Sequence, residues 1–445
     1  MGTLLAPLLP IFLTNNPTPN GFPWSLADIN TNYYDHFPNT GVIRNYDFTV
    51  SRGVIAPDGY DRQVLLVNGA FPGPLIEANW GDTIQVTVHN NITGPEEGTA
   101  LHWHGFLQSG TPWEDGVPSV TQCPIAPGKT FTYNFKAELY GTTWYHSHYS
   151  AQYAGGIVGP MVIYGPTQRR YDIDVGPVIL GDWYHDDYFK LVQKTMAQNG
   201  TGPFLSNSNL INGKMNFDCS KKPAGDNTPC VSNAGVSKFK FKRGKTHRLR
   251  LMNVGAEGMQ RFSIDGHKMT VIANDFIPVV PYDTEVVALG IGQRADVLVK
   301  ADAKGDAFWM RSHICKNCAF AENPDAQAAI FYDGADETKP PVTTAVNDPQ
   351  PESCDNDSLD TTKPIVPVPA FRADKTFDLD LQIGKNESGV TLWTMNGQDF
   401  RGNYNSPTLL LSNLGNYTFD KYWNVKPTDN ARAVRVVLHN NSPAE

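Results

Sequence analysis

One element occurs three times along this chain, and it limits the fold more than any other feature. The first copy reads Val67-Asn68-Gly69, followed by DTIQVTVHN at 82–90. The second reads Ile211-Asn212-Gly213, followed by KTHRLRLMN at 245–253, and the third reads Met395-Asn396-Gly397, followed by ARAVRVVLHN at 431–440. Asn-Gly favours the positive-φ pair of a tight hairpin turn. The run after it alternates apolar and polar residues, as a half-buried strand does, and each run ends in Asn. Any all-β chain offers some such matches, but the shared order and shared terminal Asn argue for three related β units. Composition agrees: 39 Gly, 33 Pro, 11% aromatic and 18% charged residues suit many short strands joined by turns.

The copies divide the chain into an N-terminal segment (1–40), a first unit (41–166), a second (167–334), a linker rich in Pro and Asp (335–369) and a short third unit (370–445). The second unit opens with PVILGDWY (177–184) and closes at IFYDG (330–334). The expected class is therefore all-β, with two complete domains and a third incomplete. A net charge of −9 and the lack of a long basic run exclude a nucleic-acid role. Met1 to Leu13 is apolar but too short to span a bilayer, and no other stretch is a membrane candidate. It reads as a signal-peptide remnant or as a plain disordered terminus, since the first basic residue is Arg44. Six Asn-X-Ser/Thr triplets, at Asn91, Asn199, Asn356, Asn386, Asn416 and Asn440, fit a secreted glycoprotein.

The chemistry is concentrated in the first unit, in His102-Trp103-His104 and His146-Ser147-His148. Residues i and i+2 of a strand face the same way, so each pair presents two imidazoles together. With 11 His in 445 residues, roughly 0.3 His-X-His pairs are expected by chance; two occur, both in one unit. Four crowded imidazoles would repel on protonation and waste hydrogen-bonding capacity. A metal removes both problems, and imidazole suits copper, zinc, iron or nickel. His267 follows its own repeat strand at a similar distance but stands alone. His36, His89, His185, His247, His313 and His439 lack metal spacing as well.

Around these pairs, HWHGFLQSGTPWEDGVPSVTQCPI (102–125) and TWYHSHYSAQYAGGIVGPMVIYGP (143–166) resemble the two N-terminal copper signatures of laccases. NGFPW (20–24) and LVNGAFPGPLIEANWGDTIQVTVHNNITGPEEGT (66–99) resemble secreted laccases of filamentous ascomycetes. The resemblance covers nearly the whole chain. It implies three cupredoxin domains, small Greek-key β-barrels or sandwiches, and copper as cofactor. By position, His102 would bind the type 2 copper, His104 and His146 one type 3 copper, and His148 the other.

The resemblance also gives Asp115 the role of the acid near the type 2 copper, orienting water and feeding protons to reduced oxygen. A turn-forming Asp before Gly would read the same way. Glu257, in NVGAEGMQRF (253–262), falls where ascomycete laccases carry a carboxylate in the phenol pocket; otherwise it is an idle loop residue. Cys219 and Cys230 could form a local bridge. The family's middle domain suggests Cys354 paired with Cys315 or Cys318, and its Gln-Cys-Pro-Ile cysteine, here Cys123, bridges to the C-terminal tail. A zinc or redox role for Cys315-X-X-Cys318 is the weaker alternative in an oxidising compartment.

The family's type 1 copper takes its His₂Cys ligands from two C-terminal motifs. Neither occurs in these 445 residues; the nearest decoy is His313-Ile314-Cys315. In the first copy His102 comes 12 residues after Asn90, whereas only five residues follow Asn440. The chain therefore reads as the first four-fifths of a longer oxidase, with the type 2 and type 3 half-site present and the type 1 ligands absent. The full-length enzyme would be a secreted, monomeric, copper-dependent oxidoreductase that oxidises small phenols with O₂. The alternatives are a truncated, non-catalytic copper-binding protein, or a sibling oxidase acting on ferrous ion, ascorbate or a phenol destined for coupling.

Overall fold

The computed structural model describes residues 4–5, 24, 26–200 and 204–442. Most of Met1–Leu13 and of the 20–24 motif thus lies outside the described residues. The fold is all-β, as expected; the two α-helices among the described residues, Tyr188–Thr195 and Thr408–Asn413, are short.

Two four-stranded sheets enclose the first core. One runs Arg62–Val67, Ile43–Ile55, Thr83–Asn90, Thr130–Lys136; the other runs Ile76–Asn79, Val158–Tyr164, Gly141–Ser147, Leu101–Trp103. Thr83–Asn90 alternates part-buried and buried residues, so Ile84, Val86 and Val88 enter the core while Thr83, Gln85 and Thr87 do not. Phe48, Trp80, Trp103, Tyr133 and Tyr145 fill the space between the sheets. By contrast, Gly141–Ser147 and Val158–Tyr164 are buried along their whole length. Their second face is covered by the next unit.

That unit packs a seven-stranded sheet, which includes Ile173–Trp183, Thr246–Asn253 and Arg294–Lys300, against a five-stranded one around a second core. Its boundary with the first unit carries buried charge. Arg250 bonds Asp174 through Nε and Nη2 and Asp296 through Nη1, while Thr142, on the first unit's buried strand, donates to Asp296. Each charge is matched, which is the condition for tolerating it away from water. The third sheet has three strands among the described residues: Thr391–Met395, Lys375–Lys385 and Val434–Asn440.

The sequence repeat has one structural form in all three places. Asn68, Asn212 and Asn396 lie at φ 51, 51 and 52°, each before a Gly at positive φ. Each accepts a hydrogen bond at its side-chain oxygen from the strand it turns against (Thr49, Ile179 and Asp380 N–H, all at 2.7 Å). That strand also pairs in parallel with the run ending in the repeated Asn, at registers Val50↔Asn90, Leu180↔Asn253 and Leu381↔Asn440. The terminal Asn closes the loop that follows. Asn90 Nδ2 bridges the Glu97 and Ile125 carbonyls, and Asn253 Nδ2 bridges those of Gly258 and Leu289. In both, Oδ1 accepts the N–H two residues on.

The 335–369 segment is held closely against the second unit. Arg261 bonds Asp348 through two nitrogens, His313 lies between Asp325 and Glu352, and Cys318–Cys354 ties the segment covalently. Cys219–Cys230 is the other bridge, leaving Cys315 buried and Cys123 exposed as free thiols.

Candidate metal centre

The first histidine pair is carried by the short strand Leu101–Trp103 and the residue just beyond it; the second ends Gly141–Ser147. The strands are antiparallel with His102 paired to His146, and the ladder continues through His104 N–H to Trp144 O (3.0 Å) and His148 N–H to Ala100 O (3.3 Å). All four rings therefore emerge on one side. Ring centroids lie 5.2 Å apart for His102–His146, 5.5 Å for His104–His146 and 5.6 Å for His102–His148. Nitrogen atoms of His102, His104 and His146 all fall within 4.8 Å of one another; His148 stands at the edge of this group.

The surroundings select the tautomers. His102 Nδ1 donates to Asp115 O at 2.7 Å, and His146 Nδ1 to Ser147 O at 3.0 Å. Each Nε2 then carries a lone pair, as a metal-binding imidazole needs. His104 Nδ1 and His146 Nε2 approach to 3.3 Å. Burial keeps the His104, His146 and His148 rings neutral. It is the largest cause pushing His104 down to about 3, with the Arg294 charge adding to it, and it holds His146 well below the usual value and lowers His148. Converging imidazoles form a donor set that fits copper.

Asp115 lies beside His102. Its Oδ1 is 3.3 Å from His102 Nδ1. Gly116 makes this approach possible: at φ +79°, a Cβ there would stand 1.7 Å from Leu101 O. Trp103 and its neighbours anchor the same turn through Nε1–H to Glu114 O (3.0 Å).

Glu257 lies apart from the histidines. It is half-buried, accepts a hydrogen bond from Tyr184 Oη (3.2 Å), and is pushed up to about 7, first by burial and then by the charge of Asp182. His267 bonds Asp265 O and Tyr332 Oη, a structural role.

Three contributors escaped the sequence. Trp144 stacks on both His104 and His146; it lay inside the histidine motif and could have been suspected there. Gly292 and Arg294, from the second unit, press on the site: a Cβ on Gly292 would come 2.9 Å from His104 Cε1, and Arg294 bonds Thr142 O and Gly292 O. Some 190 residues separate them from His104, and no local pattern announces the contact.

Residues 49–168 and 174–335 each match a sequence profile described as multicopper oxidase. Among curated relatives, Laccase-2 of Botryotinia fuckeliana is 41% identical over 87% of this chain and 64% of its own length. Dihydrogeodin oxidase of Aspergillus terreus is 40% identical over 80% and 59%. The chain thus spans less than two thirds of the length of these relatives. The crystal structure of the laccase from Botrytis aclada superposes with a TM-score of 0.85 at 36% identity, covering 94% of this chain and 75% of that one.

Proposed function

Since the chain belongs to the multicopper oxidase family and is ascomycete laccase-like, we propose that it supplies the dioxygen half-site of a laccase-like oxidase of phenols. The observation that carries this reading is the convergence of four imidazoles on two paired strands, with ligand nitrogens of His102, His104 and His146 within 4.8 Å of one another. We assign His102 to a type 2 copper, His104 and His146 to one type 3 copper, and His148 to the other. Bound there, copper supplies the one-electron chemistry that couples phenol oxidation to reduction of O₂ to water.

The protein's own groups do the rest. Asp115 and the Ser147 carbonyl fix the His102 and His146 tautomers. The Asp115 carboxylate stands beside the site to orient water and deliver protons. Glu257 accepts the proton a phenol sheds on oxidation: a carboxylate poised near neutrality suits a donor that loses a proton, and ferrous ion loses none. The repeats support domains at 41–166, 167–334 and 370–445, joined by the 335–369 segment. Two disulfides and exposed sequons at Asn91, Asn199, Asn356 and Asn416 support secretion as a glycoprotein, and we assign the chain as a monomer.

The test is copper loading of the purified chain with metal counting, alongside O₂ uptake with a phenol. Copper retained by the parent chain and lost in His102→Ala and His146→Ala supports the half-site. Copper uptake indifferent to these substitutions overturns it. Oxidation of a phenol without copper would overturn the catalytic reading.

A further inference from the structure

Asp182 belongs to the GDWY stretch, which the sequence marks only as the opening of a unit. Its carboxylate reaches across 74 to 76 residues to the loop that carries Glu257. Oδ1 accepts Ala256 N–H at 2.7 Å; Oδ2 accepts Glu257 N–H and Gly258 N–H, both at 2.8 Å. Three successive amides aimed at one carboxylate form an anion-binding nest. Asn253 holds the same loop from its other side, through Gly255 N–H (2.9 Å) and Gly258 O (2.8 Å). No Cβ fits at Gly255 without closing to 3.1 Å on both Asp182 Oδ2 and Asn253 Oδ1. Two residues after Asp182, Tyr184 donates its hydroxyl to Glu257 Oε2. One short stretch thus grips both the backbone and the carboxylate of Glu257.

We propose that Asp182 and Tyr184 are the positioning residues of the phenol-proton acceptor: Asp182 fixes the Glu257 backbone and places a negative charge behind it, and Tyr184 aims its carboxylate. This rests on the reading of Glu257 as that acceptor. The two act on its proton affinity in opposite senses. The Asp182 charge disfavours a second negative charge and raises the affinity, whereas the Tyr184 hydroxyl stabilises the ionised form and lowers it. The Phe320 N–H lowers it as well, and burial is the largest influence. Burial raises Asp182, while the three backbone amides and, from further off, the charge of Arg62 favour its ionised form. The proton moves from the phenol oxygen to a Glu257 carboxylate oxygen as the phenol gives up one electron to the oxidase.

The test follows the Glu257 carboxylate by infrared difference titration of the full chain, with Glu257→Gln identifying its band. Asp182→Asn is expected to move the midpoint from about 7 toward the ordinary carboxylate range, and Tyr184→Phe to move it upward. A residue that merely holds the fold would not give shifts of opposite sign. Tyr184→Phe removes one hydroxyl and keeps the ring, so it remains readable if Asp182→Asn fails to fold. Unchanged midpoints, or shifts of the same sign, overturn the proposal. The underlying reading is tested separately in the copper-loaded oxidase by comparing a phenol with ferrocyanide, which carries no proton to lose. If Glu257→Gln slows both donors equally, the acceptor role fails, whatever the titrations give. If it slows the phenol alone while both midpoints stay fixed, only the positioning proposal fails.

Discussion

His102 and His146 face each other directly across two antiparallel strands, with ring centroids 5.2 Å apart. This pairing turns two short sequence motifs into one site. Strand side chains alternate faces, so a slip of one residue would send either histidine pair to the opposite side of the sheet. The register is fixed locally by fully buried neighbours, Trp103 and Tyr145, which interleave with the histidines on the core-facing side.

Gly116 is the part of this arrangement most sensitive to substitution. Gly116→Ala sets a Cβ against Leu101 O in a backbone region that side chains rarely adopt. A cost of about 3 kcal/mol or more is expected. The turn carrying Asp115 must move, so copper affinity should fall along with stability. Chemical denaturation and copper titration of the variant check both; a variant as stable as the parent contradicts the close approach.

The repeated asparagines make a graded set. Asn90 and Asn253 are wholly buried, and each bridges two carbonyls. Replacing either by Ala strands those groups and should cost about 1–3 kcal/mol. Asn440 is exposed, and its replacement should fall within about 0.5 kcal/mol of the parent. Equal losses at all three sites, measured by denaturant unfolding, would refute burial as the source of the difference.

How much was legible beforehand follows from range. The Asn-Gly turns, the alternating strands and the histidine spacing are set within a few residues of one another, so the all-β class and the four imidazoles could be read directly. Asp115 was legible only through family resemblance, because its immediate sequence equally describes a turn. The roles of Asp182 and Arg294 were not legible at all. A lone Asp in a strand and a lone Arg after a turn acquire meaning only when folding brings them to residues far along the chain. The 335–369 segment reads from its composition as a linker; its attachment through Arg261, His313 and Cys318, all outside it, is not written in its own sequence.

The buried ion network between the first two units sets a pH response. Burial alone would raise Asp296, but Arg248 and Arg250 outweigh it and hold the carboxyl below its usual value. A depressed carboxyl stabilises the fold above its unfolded pKa, and that stability is lost as pH falls below it. Acid unfolding should therefore steepen below a pH of about 4. Arg250→Met leaves Asp174 and Asp296 short of a partner and should cost about 3–5 kcal/mol at neutral pH. Thermal melts of both proteins from neutral to acid pH test this: the variant's loss of stability should shrink as the carboxyls protonate. A gap between the two that stays constant with pH contradicts it.

We propose that four imidazoles of this chain hold copper. X-ray absorption of the copper-loaded chain tests it most directly, read together with metal counts for the parent, His102→Ala and His146→Ala. The account predicts copper coordinated by imidazole nitrogen and lost in both variants. Copper bound through sulfur, or retained undiminished by both variants, would contradict it.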